Sequence, residues 1–383
     1  MAFIPYSRQD IDTADIEAVS DVLRSDFLTQ GPAIPQFERA IASLHGVNHA
    51  IATSNATGAL HIACLALGVG EGDLVWTSPI SFVASANCAL YCGAEVDFVD
   101  IDPVTRNMSV AALEAKIDRA AAEGRLPKVL IPVDFSGLPC DMQEIRALAD
   151  QHGIAIIEDA AHAVGARYRN APAGMLADIA VLSFHPVKIV TTGEGGACLT
   201  SNAELAARLA LLRSHGVTRE SALMEAEPQG AWYYEQVDLG FNYRLTDIQA
   251  ALGLSQLTRL PPQRDRRDAL ARRYDERLRG LPLKLPVRLA DRESSHHLYV
   301  VEVEDGISRL AVYDALRAAE IGVNVHYIPI HLQPYYRRLG FQPGDFPAAE
   351  AYYRGAITLP LFPAMTEDQQ DRVIEVLAGA LSA

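Results

Sequence analysis

The feature that most constrains this chain is an alternation of short apolar runs with helical patterns between residues 47 and 200. The runs are rich in β-branched residues and too short for helices, which is typical of buried strands. They occupy residues 47–53, 74–77, 96–99, 129–133, 154–157 and 179–183. The helical patterns cover residues 57–67, 81–91, 109–123, 141–152 and 204–213. This alternation predicts an α/β fold with a mostly parallel sheet, helices on both faces, and ligands at the carboxyl ends of the strands.

The residues after Leu245 predict a second, smaller unit. A long helical stretch runs to about residue 278 and is broken at Pro261 and Pro262, because proline lacks the N–H that a helix interior needs. The patterns that follow are a strand over 297–303, a helix over 308–319, a strand over 323–327 and helices that start near residues 347 and 366. We therefore expect a large domain over residues 1–245, and a linking helix with a small C-terminal α+β domain over residues 246–383.

Composition argues against several classes of protein. The 383 residues are 49% hydrophobic, enough for a large core, and 48 acidic against 33 basic side chains give a net charge of −15. No cluster of Lys and Arg stands out that could neutralise a phosphate backbone, so no nucleic-acid partner is expected. No apolar run is long enough to cross a bilayer, and we expect a cytoplasmic protein. The five cysteines are predicted to be free thiols in apolar surroundings, and no metal site is expected.

Lys188 is the leading candidate for a catalytic residue. It follows the predicted strand 179–183 and precedes a glycine-rich turn over residues 193–196. A lysine amine attacks an aldehyde only when it is partly deprotonated, which burial or a nearby cation achieves by lowering its pKa. Such a lysine can hold pyridoxal 5′-phosphate (PLP) as a Schiff base and then move protons. Taken alone, Lys188 is better explained as an ordinary surface lysine beside a flexible turn.

The position of Asp159 favours the interpretation of Lys188 as a PLP-binding lysine. It follows the predicted buried strand 154–157 and so lies at the carboxyl edge of the sheet. A carboxylate there can pair with the protonated pyridine nitrogen of PLP and strengthen electron withdrawal by the ring. A helix N-cap after a strand is the alternative explanation.

A phosphate-binding segment is also predicted. Residues 53–58 follow the first strand and open a helix, so the N–H groups around Ala56 and Thr57 would point at one spot, as at other phosphate-binding helix N-termini. Ser183 could add a hydroxyl, and Phe82 could stack on the pyridine ring. A capped helix without a ligand, and an aromatic residue buried in the core, would explain the same residues.

Three motifs resemble those of the DegT/StrS family of sugar aminotransferases. They occupy residues 157–166, 183–196 and 240–251, in the family's order, and the last of them begins Gly-Phe-Asn-Tyr-Arg. With residues 5–7 and 27–32 the resemblance covers nearly the whole chain. It implies a fold type I PLP-dependent transferase, similar to aspartate aminotransferase, that works as a homodimer with active sites at the subunit interface.

The resemblance assigns roles to particular residues. Lys188 matches the Schiff-base lysine and Asp159 the partner of the pyridine nitrogen. The other cofactor contacts that it implies are a stacking aromatic, phosphate ligands, a side chain near the ring hydroxyl, and an asparagine that reaches the phosphate from the neighbouring subunit; these are Phe82, Ala56, Thr57, Ser183, His162 and Asn242. A structural turn before the long helix would explain residues 242–244 equally well.

A finer resemblance concerns the substrate. Residues 77–87, 137–141 and 326–336 are similar to family members of pseudaminic acid synthesis, which aminate a UDP-linked 4-keto-6-deoxy-N-acetylhexosamine with L-glutamate as donor. Pyridoxamine phosphate would form between the two half-reactions. The resemblance makes Tyr6, Tyr327, His331 and Arg244 candidate substrate contacts, and Arg213, Arg244 and Arg337 candidates for binding the donor's carboxylate. A loop packed on the core would explain Tyr327 and His331 as well.

Three other functions stay open at this point. An aminotransferase for a dTDP- or GDP-linked sugar would carry the same cofactor residues. A sugar dehydratase of the same fold is disfavoured, because such relatives lack the Schiff-base lysine that Lys188 matches. A regulatory homologue without catalysis is disfavoured by the intact set of cofactor residues.

Overall fold

The computed structural model describes residues 2–382 as helices and strands in regular alternation. The helices are α1 Thr13–Leu23, α2 Ala33–His45, α3 Ala56–Ala66, α4 Ala84–Tyr91, α5 Val110–Glu123, α6 Met142–His152, α7 Ala203–Arg213, α8 Asp247–Thr258, α9 Leu260–Arg277, α10 Arg309–Ala318, α11 Pro334–Arg338, α12 Pro347–Gly355 and α13 Glu367–Leu381. The strands are β1 His49–Thr53, β2 Leu74–Thr77, β3 Glu95–Phe98, β4 Val129–Ile131, β5 Ala155–Asp159, β6 Arg167–Tyr168, β7 Ala171–Pro172, β8 Ile179–Ser183, β9 Gly196–Thr200, β10 Val217–Thr218, β11 Glu235–Gln236, β12 Leu283–Lys284, β13 Arg292–Glu293, β14 Tyr299–Val303 and β15 Ala356–Leu359.

A seven-stranded sheet forms the centre of the molecule, with strand order β1-β9-β8-β5-β4-β2-β3. The pairs from β8 to β3 are parallel, whereas β9 is antiparallel to both of its neighbours. The mostly parallel sheet and all six strands expected in it are thus confirmed, within a few residues at their ends. The prediction did not include β9, because the glycine-rich run before it was assigned entirely to a loop.

The central strands are buried on both faces, as parallel strands covered by helices should be. All five residues of β8 and of β9 are buried. Helices α3 and α4 cover one face with small side chains, and α5 and α6 cover the other. Two helices that the sequence patterns did not indicate, α1 and α2, pack against α8. Within residues 2–382 no helix is both long and apolar enough to cross a membrane.

The C-terminal part forms a second sheet with the order β12-β14-β15 and its own apolar cluster. The break in the long helix is confirmed: α9 begins at Leu260, so that Pro261 and Pro262 fall in its first turn, where no N–H is required. The strand expected over 323–327 is wrong. Only Asn324 bridges to Thr358, because the chain then leaves the sheet and turns toward a cavity. The division of the chain at residue 245 stays a prediction.

Gly196, the first residue of β9, fixes how closely the start of α3 approaches the sheet. A Cβ added at Gly196 would lie 2.6 Å from the backbone nitrogen of Ala56. Because that contact is with backbone, the helix would have to move to admit any side chain. The absence of a side chain at Gly196 therefore sets the position of the N–H groups at the start of α3.

We expect Gly196→Ala to lower the free energy of unfolding by about 1–3 kcal/mol, the usual cost of overpacking a core. Chemical denaturation of the apoprotein measures this loss. Gly379→Ala is the matched control, because no atom lies within 4 Å of a Cβ at Gly379 and alanine is the better helix former. Equal stability of the two variants would contradict the steric argument.

Candidate active site

A cavity of about 860 Å³ opens at the carboxyl edge of the central sheet. Its walls come from the ends of β5 and β8, the N-terminal turns of α3 and α4, and the segment 324–328 of the C-terminal part. This is the edge at which ligands bind in open α/β sheets. Nine of the predicted site residues line the cavity: Tyr6, Ala56, Thr57, Phe82, Asp159, His162, Ser183, Lys188 and Tyr327.

Lys188 lies in the loop between β8 and β9. The carbonyl of His185 accepts a hydrogen bond of 2.8 Å from the Lys188 backbone N–H, and the hydroxyl of Ser7 donates to the carbonyl of Val187. These contacts hold the loop against the sheet edge. Burial lowers the pKa of the Lys188 amine to about 8, against the opposing attraction of Asp159. The amine is thus tuned toward neutrality near physiological pH, as a nucleophile and proton carrier requires.

Asp159 is the last residue of β5 and its carboxylate is buried. Oδ2 accepts a hydrogen bond of 2.5 Å from the hydroxyl of Ser85, and Oδ1 accepts one of 3.2 Å from the N–H of Ala161. Burial raises the pKa of Asp159, while Ser85, Ala161 and the charge of Lys188 act in the opposite direction. No ion pair to Asp159 is found among residues 2–382, so its carboxylate can still be neutralised by a cationic ligand group.

The first turn of α3 and the end of β8 together form a cradle for an anion. The side chain of Asn55 caps the helix by accepting a hydrogen bond of 2.8 Å from the N–H of Gly58. The cap leaves the N–H groups of Ala56 and Thr57 at the cavity, beside the Ser183 side chain. Gly196 keeps this turn close to the sheet, so the geometry fits a phosphate.

The aromatic lining supports a planar ligand. Phe82 is 60% exposed, so the alternative that it belongs to the core does not hold, and its ring lies 6.5 Å from that of Tyr327. The Tyr327 hydroxyl lies 3.3 Å from Nε2 of His162. Burial, followed by the charge of Lys188, lowers the pKa of His162 well below its usual range. A neutral imidazole beside an aromatic wall is suited to contact an uncharged or anionic ring substituent.

Three further histidines line the cavity: His185 in the loop of Lys188, and His297 and His326, which were not among the predicted site residues. His297 and His326 both have a pKa lowered by burial and by Lys188, that of His326 to about 4. The rings of His297 and His162 lie 4.4 Å apart, and Nδ1 of His326 lies 2.8 Å from the hydroxyl of Thr358. Both were placed on or beside predicted strands of the second sheet, and nothing in local patterning shows that these strand ends meet the site. Ser85 was missed because a serine within a helix is usually unremarkable.

The structure does not bring every predicted residue into the cavity. His331 is fully buried and lies 3.0 Å from Oε1 of Glu350, so its predicted substrate contact is corrected to a contact within the core. Asn242 and Arg244 lie beside the cavity, where they bridge to Ser214 and Thr53, but do not line it. The role expected of Asn242 involves a second subunit and stays a prediction.

None of the candidate arginines for the donor's carboxylate lines the cavity formed by residues 2–382. The guanidinium of Arg213 is already paired, at 2.5 Å from Glu38 and 2.8 Å from the carbonyl of Ala52. Arg337 is exposed on α11. Among the described residues of one chain, no arginine is thus placed in the cavity to bind a donor carboxylate.

The residues present fit PLP. Lys188 supplies an amine for the aldehyde, Asp159 a buried carboxylate for the pyridine nitrogen, and the first turn of α3 with Ser183 a cradle for the phosphate. The three groups belong to one cavity. Together they define a site of the PLP-dependent aminotransferase class.

Comparison with known proteins places the chain within a family. Residues 9–378 match the DegT/DnrJ/EryC1/StrS aminotransferase family. SpsC of Bacillus subtilis, a spore coat polysaccharide biosynthesis protein, is 39% identical over 98% of this chain and 96% of its own length.

Solved structures agree with this match. Helicobacter pylori PseC, an aminotransferase involved in the biosynthesis of pseudoaminic acid, superposes with a TM-score of 0.91, 30% identity and 99% coverage of both chains. Spr1654 of Streptococcus pneumoniae, described as a candidate sugar aminotransferase, superposes in its PLP form with a TM-score of 0.91 and 31% identity, again with 99% coverage of both chains. The chain belongs to the DegT/DnrJ/EryC1/StrS family and is a PLP-dependent aminotransferase.

We expect the rate at which the apoprotein takes up PLP to rise with pH and to level off above about 8, because only the neutral amine attacks the aldehyde. Stopped-flow absorbance measures the rate. Borohydride reduction followed by peptide mapping should place the modification on Lys188. An inflection near the usual lysine pKa of about 10.4 would show that burial does not tune this amine.

Proposed function

We propose that this protein transfers an amino group from L-glutamate to the 4-keto carbon of a nucleotide-linked 4-keto-6-deoxy sugar. The favoured substrate is the UDP-linked N-acetylhexosamine of the pseudaminic acid pathway, which would make the protein a UDP-4-amino-4,6-dideoxy-N-acetyl-β-L-altrosamine transaminase. The observation that carries the proposal is the cavity in which Lys188 and Asp159 face one space of about 860 Å³, within the size range of sites for a cofactor and small substrate. The similarity to PseC over 99% of the chain supports the choice of sugar.

The roles of the chain's residues follow from their chemistry. Bound PLP would supply an electron-withdrawing ring that stabilises negative charge at the donor's α carbon. Asp159 would hold the pyridine nitrogen in its protonated form, and the Ser85 hydroxyl keeps that carboxylate oriented. The first turn of α3 and Ser183, which line the cavity, would bind the phosphate, and Phe82 would cover one face of the ring. These contacts would hold the cofactor at the sheet edge.

Lys188 carries the protons in both half-reactions. Its Nζ removes a proton from the α carbon of L-glutamate, and after the sugar has replaced the keto acid product it delivers a proton to the sugar's C4. With a pKa lowered to about 8, the amine can act as base and acid near neutral pH. His162 and Tyr327, which lie 3.3 Å apart, would orient the sugar and the ring hydroxyl on the opposite wall.

A homodimer would complete the site. Lys188 is the only Lys or Arg among the described residues that line the cavity, and bound PLP would engage its amine. A phosphate, a sugar diphosphate and a dicarboxylate donor bring several negative charges to the same space, and an acidic protein of net charge −15 must supply local cations for them. We propose that Asn242 and Arg244 of the partner subunit reach the phosphate and the substrate, since the same two residues of this chain do not line its own cavity.

The test is a coupled assay with PLP, L-glutamate and a panel of UDP-, dTDP- and GDP-linked 4-keto-6-deoxy sugars, following 2-oxoglutarate release. Turnover confined to the UDP-N-acetyl sugars is the expected result. Turnover confined to dTDP or GDP sugars would keep the chemistry but overturn the substrate assignment, and product stereochemistry can be read by NMR. Lys188→Arg should bind PLP without the covalent absorbance band and lose turnover.

We expect Asp159→Asn to lower kcat by about 100-fold or more, because an amide cannot hold the pyridine nitrogen protonated. Steady-state kinetics of the PLP-loaded protein measures this. Ser85→Ala should have a smaller effect. Loss of the Ser85 hydrogen bond raises the pKa of Asp159, so the acid limb of the pH–rate profile should shift to higher pH. An unchanged kcat for Asp159→Asn would remove this carboxylate from the mechanism.

A further inference from the structure

A pair of buried acids, Asp134 and Glu158, lies directly behind the candidate site. Asp134 follows β4 and Glu158 precedes Asp159 on β5, and their exposed fractions are 0% and 1%. Successive side chains of a strand point to opposite faces, so Glu158 points away from the cavity that Asp159 enters. Neither acid has a part in the proposed chemistry.

The hydrogen bonds of the pair leave one oxygen on each acid to be explained. Oε1 of Glu158 accepts from the N–H of Gly174 at 2.8 Å, and Oδ1 of Asp134 accepts from the N–H of Cys140 at 2.8 Å. The other two oxygens, Oε2 of Glu158 and Oδ2 of Asp134, are fully buried and have no other donor among residues 2–382. Strands β4 and β5 are parallel neighbours, and Val133 bridges to Asp159, so the adjoining residues Asp134 and Glu158 are brought together at the ends of these two strands. Two ionised carboxylates cannot form a hydrogen bond with each other, because neither has a proton to donate.

The charges around the pair favour retention of a proton. Burial raises the pKa of both acids, and the charge of Asp134 raises that of Glu158 further. The other groups that face the pair are the carboxylate of Asp159 and the thiol of Cys140, whose pKa is raised by burial and then by Asp134. The charge of Lys188 acts on Asp159 instead.

We propose that Asp134 and Glu158 share one proton and act as a positioning pair that holds Asp159 at the cavity. The backbone connects the pair to that carboxylate: the N–H of Asp134 donates to the carbonyl of Asp159 at 3.1 Å, and the N–H of Asp159 donates to the carbonyl of Pro132 at 2.9 Å. Loss of the shared proton places two like charges side by side between the ends of β4 and β5. The positioning role rests on the proposed function of Asp159, whereas the sharing of the proton does not.

The shared proton is tested first on the wild-type apoprotein. Infrared difference spectroscopy at neutral pH should show the carbonyl stretch of a buried protonated carboxylic acid, and the band should disappear in Glu158→Gln. Absence of such a band from the wild type at neutral pH would overturn the proposal, whatever the stability of the variants.

Amide substitutions test the geometry of the pair. In Glu158→Gln the amide oxygen can accept from Gly174 while the amide N–H donates to Asp134, and Asp134→Asn allows the mirror arrangement. Each single variant should fold with a small change in thermal midpoint. In the double variant two NH2 groups face each other, and flipping either amide only turns its NH2 toward a backbone N–H. The double variant should therefore lose more than the sum of the two single losses, and additive losses would overturn the shared bond.

The pH dependence of stability gives an independent readout. An acid whose pKa is higher in the folded than in the unfolded protein stabilises the fold while it is protonated. This contribution to the free energy of unfolding is complete below the unfolded pKa of about 4, and it is lost as pH rises through the folded pKa. The thermal midpoint of the wild-type apoprotein should thus fall more steeply than that of Glu158→Gln as pH rises from about 4 through the folded pKa of the pair. Glu144→Gln is the matched control: the pKa of Glu144 is lowered, so its removal lowers stability at neutral pH but changes the slope of stability with pH only below about pH 4. Equal slopes for wild type and Glu158→Gln between about pH 4 and the folded pKa would contradict the proposal.

The positioning role is tested on the PLP-loaded protein. Its visible absorbance should change on the alkaline side as the pair loses its proton, and this step should be missing in Glu158→Gln. The infrared band and the pH dependence of stability can both be as expected while the PLP-loaded wild type and Glu158→Gln give identical absorbance titrations at alkaline pH. That outcome would overturn the positioning role but not the shared proton. An Asp159→Asn protein with unaltered cofactor absorbance would instead overturn the proposed function of Asp159.

Discussion

The attraction between one buried ammonium group and one buried carboxylate is the interaction on which the site depends. Burial alone drives Lys188 and Asp159 toward their neutral forms, and their mutual attraction opposes this for both. The two groups attract each other without forming a direct ion pair, and buried opposite charges seldom stabilise a fold, because desolvation costs as much as the attraction returns. Here the surrounding structure carries that cost: β5 and β8 pair in parallel with Asp159 opposite Val181, which brings the acid and the lysine loop to the same edge. The result is a lysine held close to the point of deprotonation.

The parallel sheet could be predicted because its strands are short, apolar and regularly spaced. The same pattern placed Asp159 and the 183–188 segment at strand ends, and topology then places strand ends together. Thr57 and Ala56 were predicted on the same grounds, as the first residues of a helix after a strand. What these residues share is that a single local rule, strand followed by loop or helix, determines where their side chains go.

The remainder of the site depends on contacts that no local rule contains. His297 and His326 reach the cavity from the second sheet, and their positions follow from how the two parts of the chain pack. His331 lies in the same segment as Tyr327, but it turns toward Glu350 and the core, and four positions of separation in an irregular loop give no means of telling the two apart. Strand β9 was missed because its glycine start suits a loop and a close contact equally well. The close contact at Gly196 is visible only with α3 in place.

The strand order has a consequence for how the chain acquires its structure. Within residues 2–382, β9 is the only strand that pairs with β1, and all other strands of the large sheet lie between the two in the sequence. During synthesis from the N-terminus, residues 49–53 therefore have no partner strand until the chain has been made as far as residue 200. The strand before the phosphate cradle is thus among the last to be secured, and its nascent edge is exposed meanwhile, as expected for pairing between distant segments. A pause in translation before this point would lengthen the time during which that edge can pair with another chain.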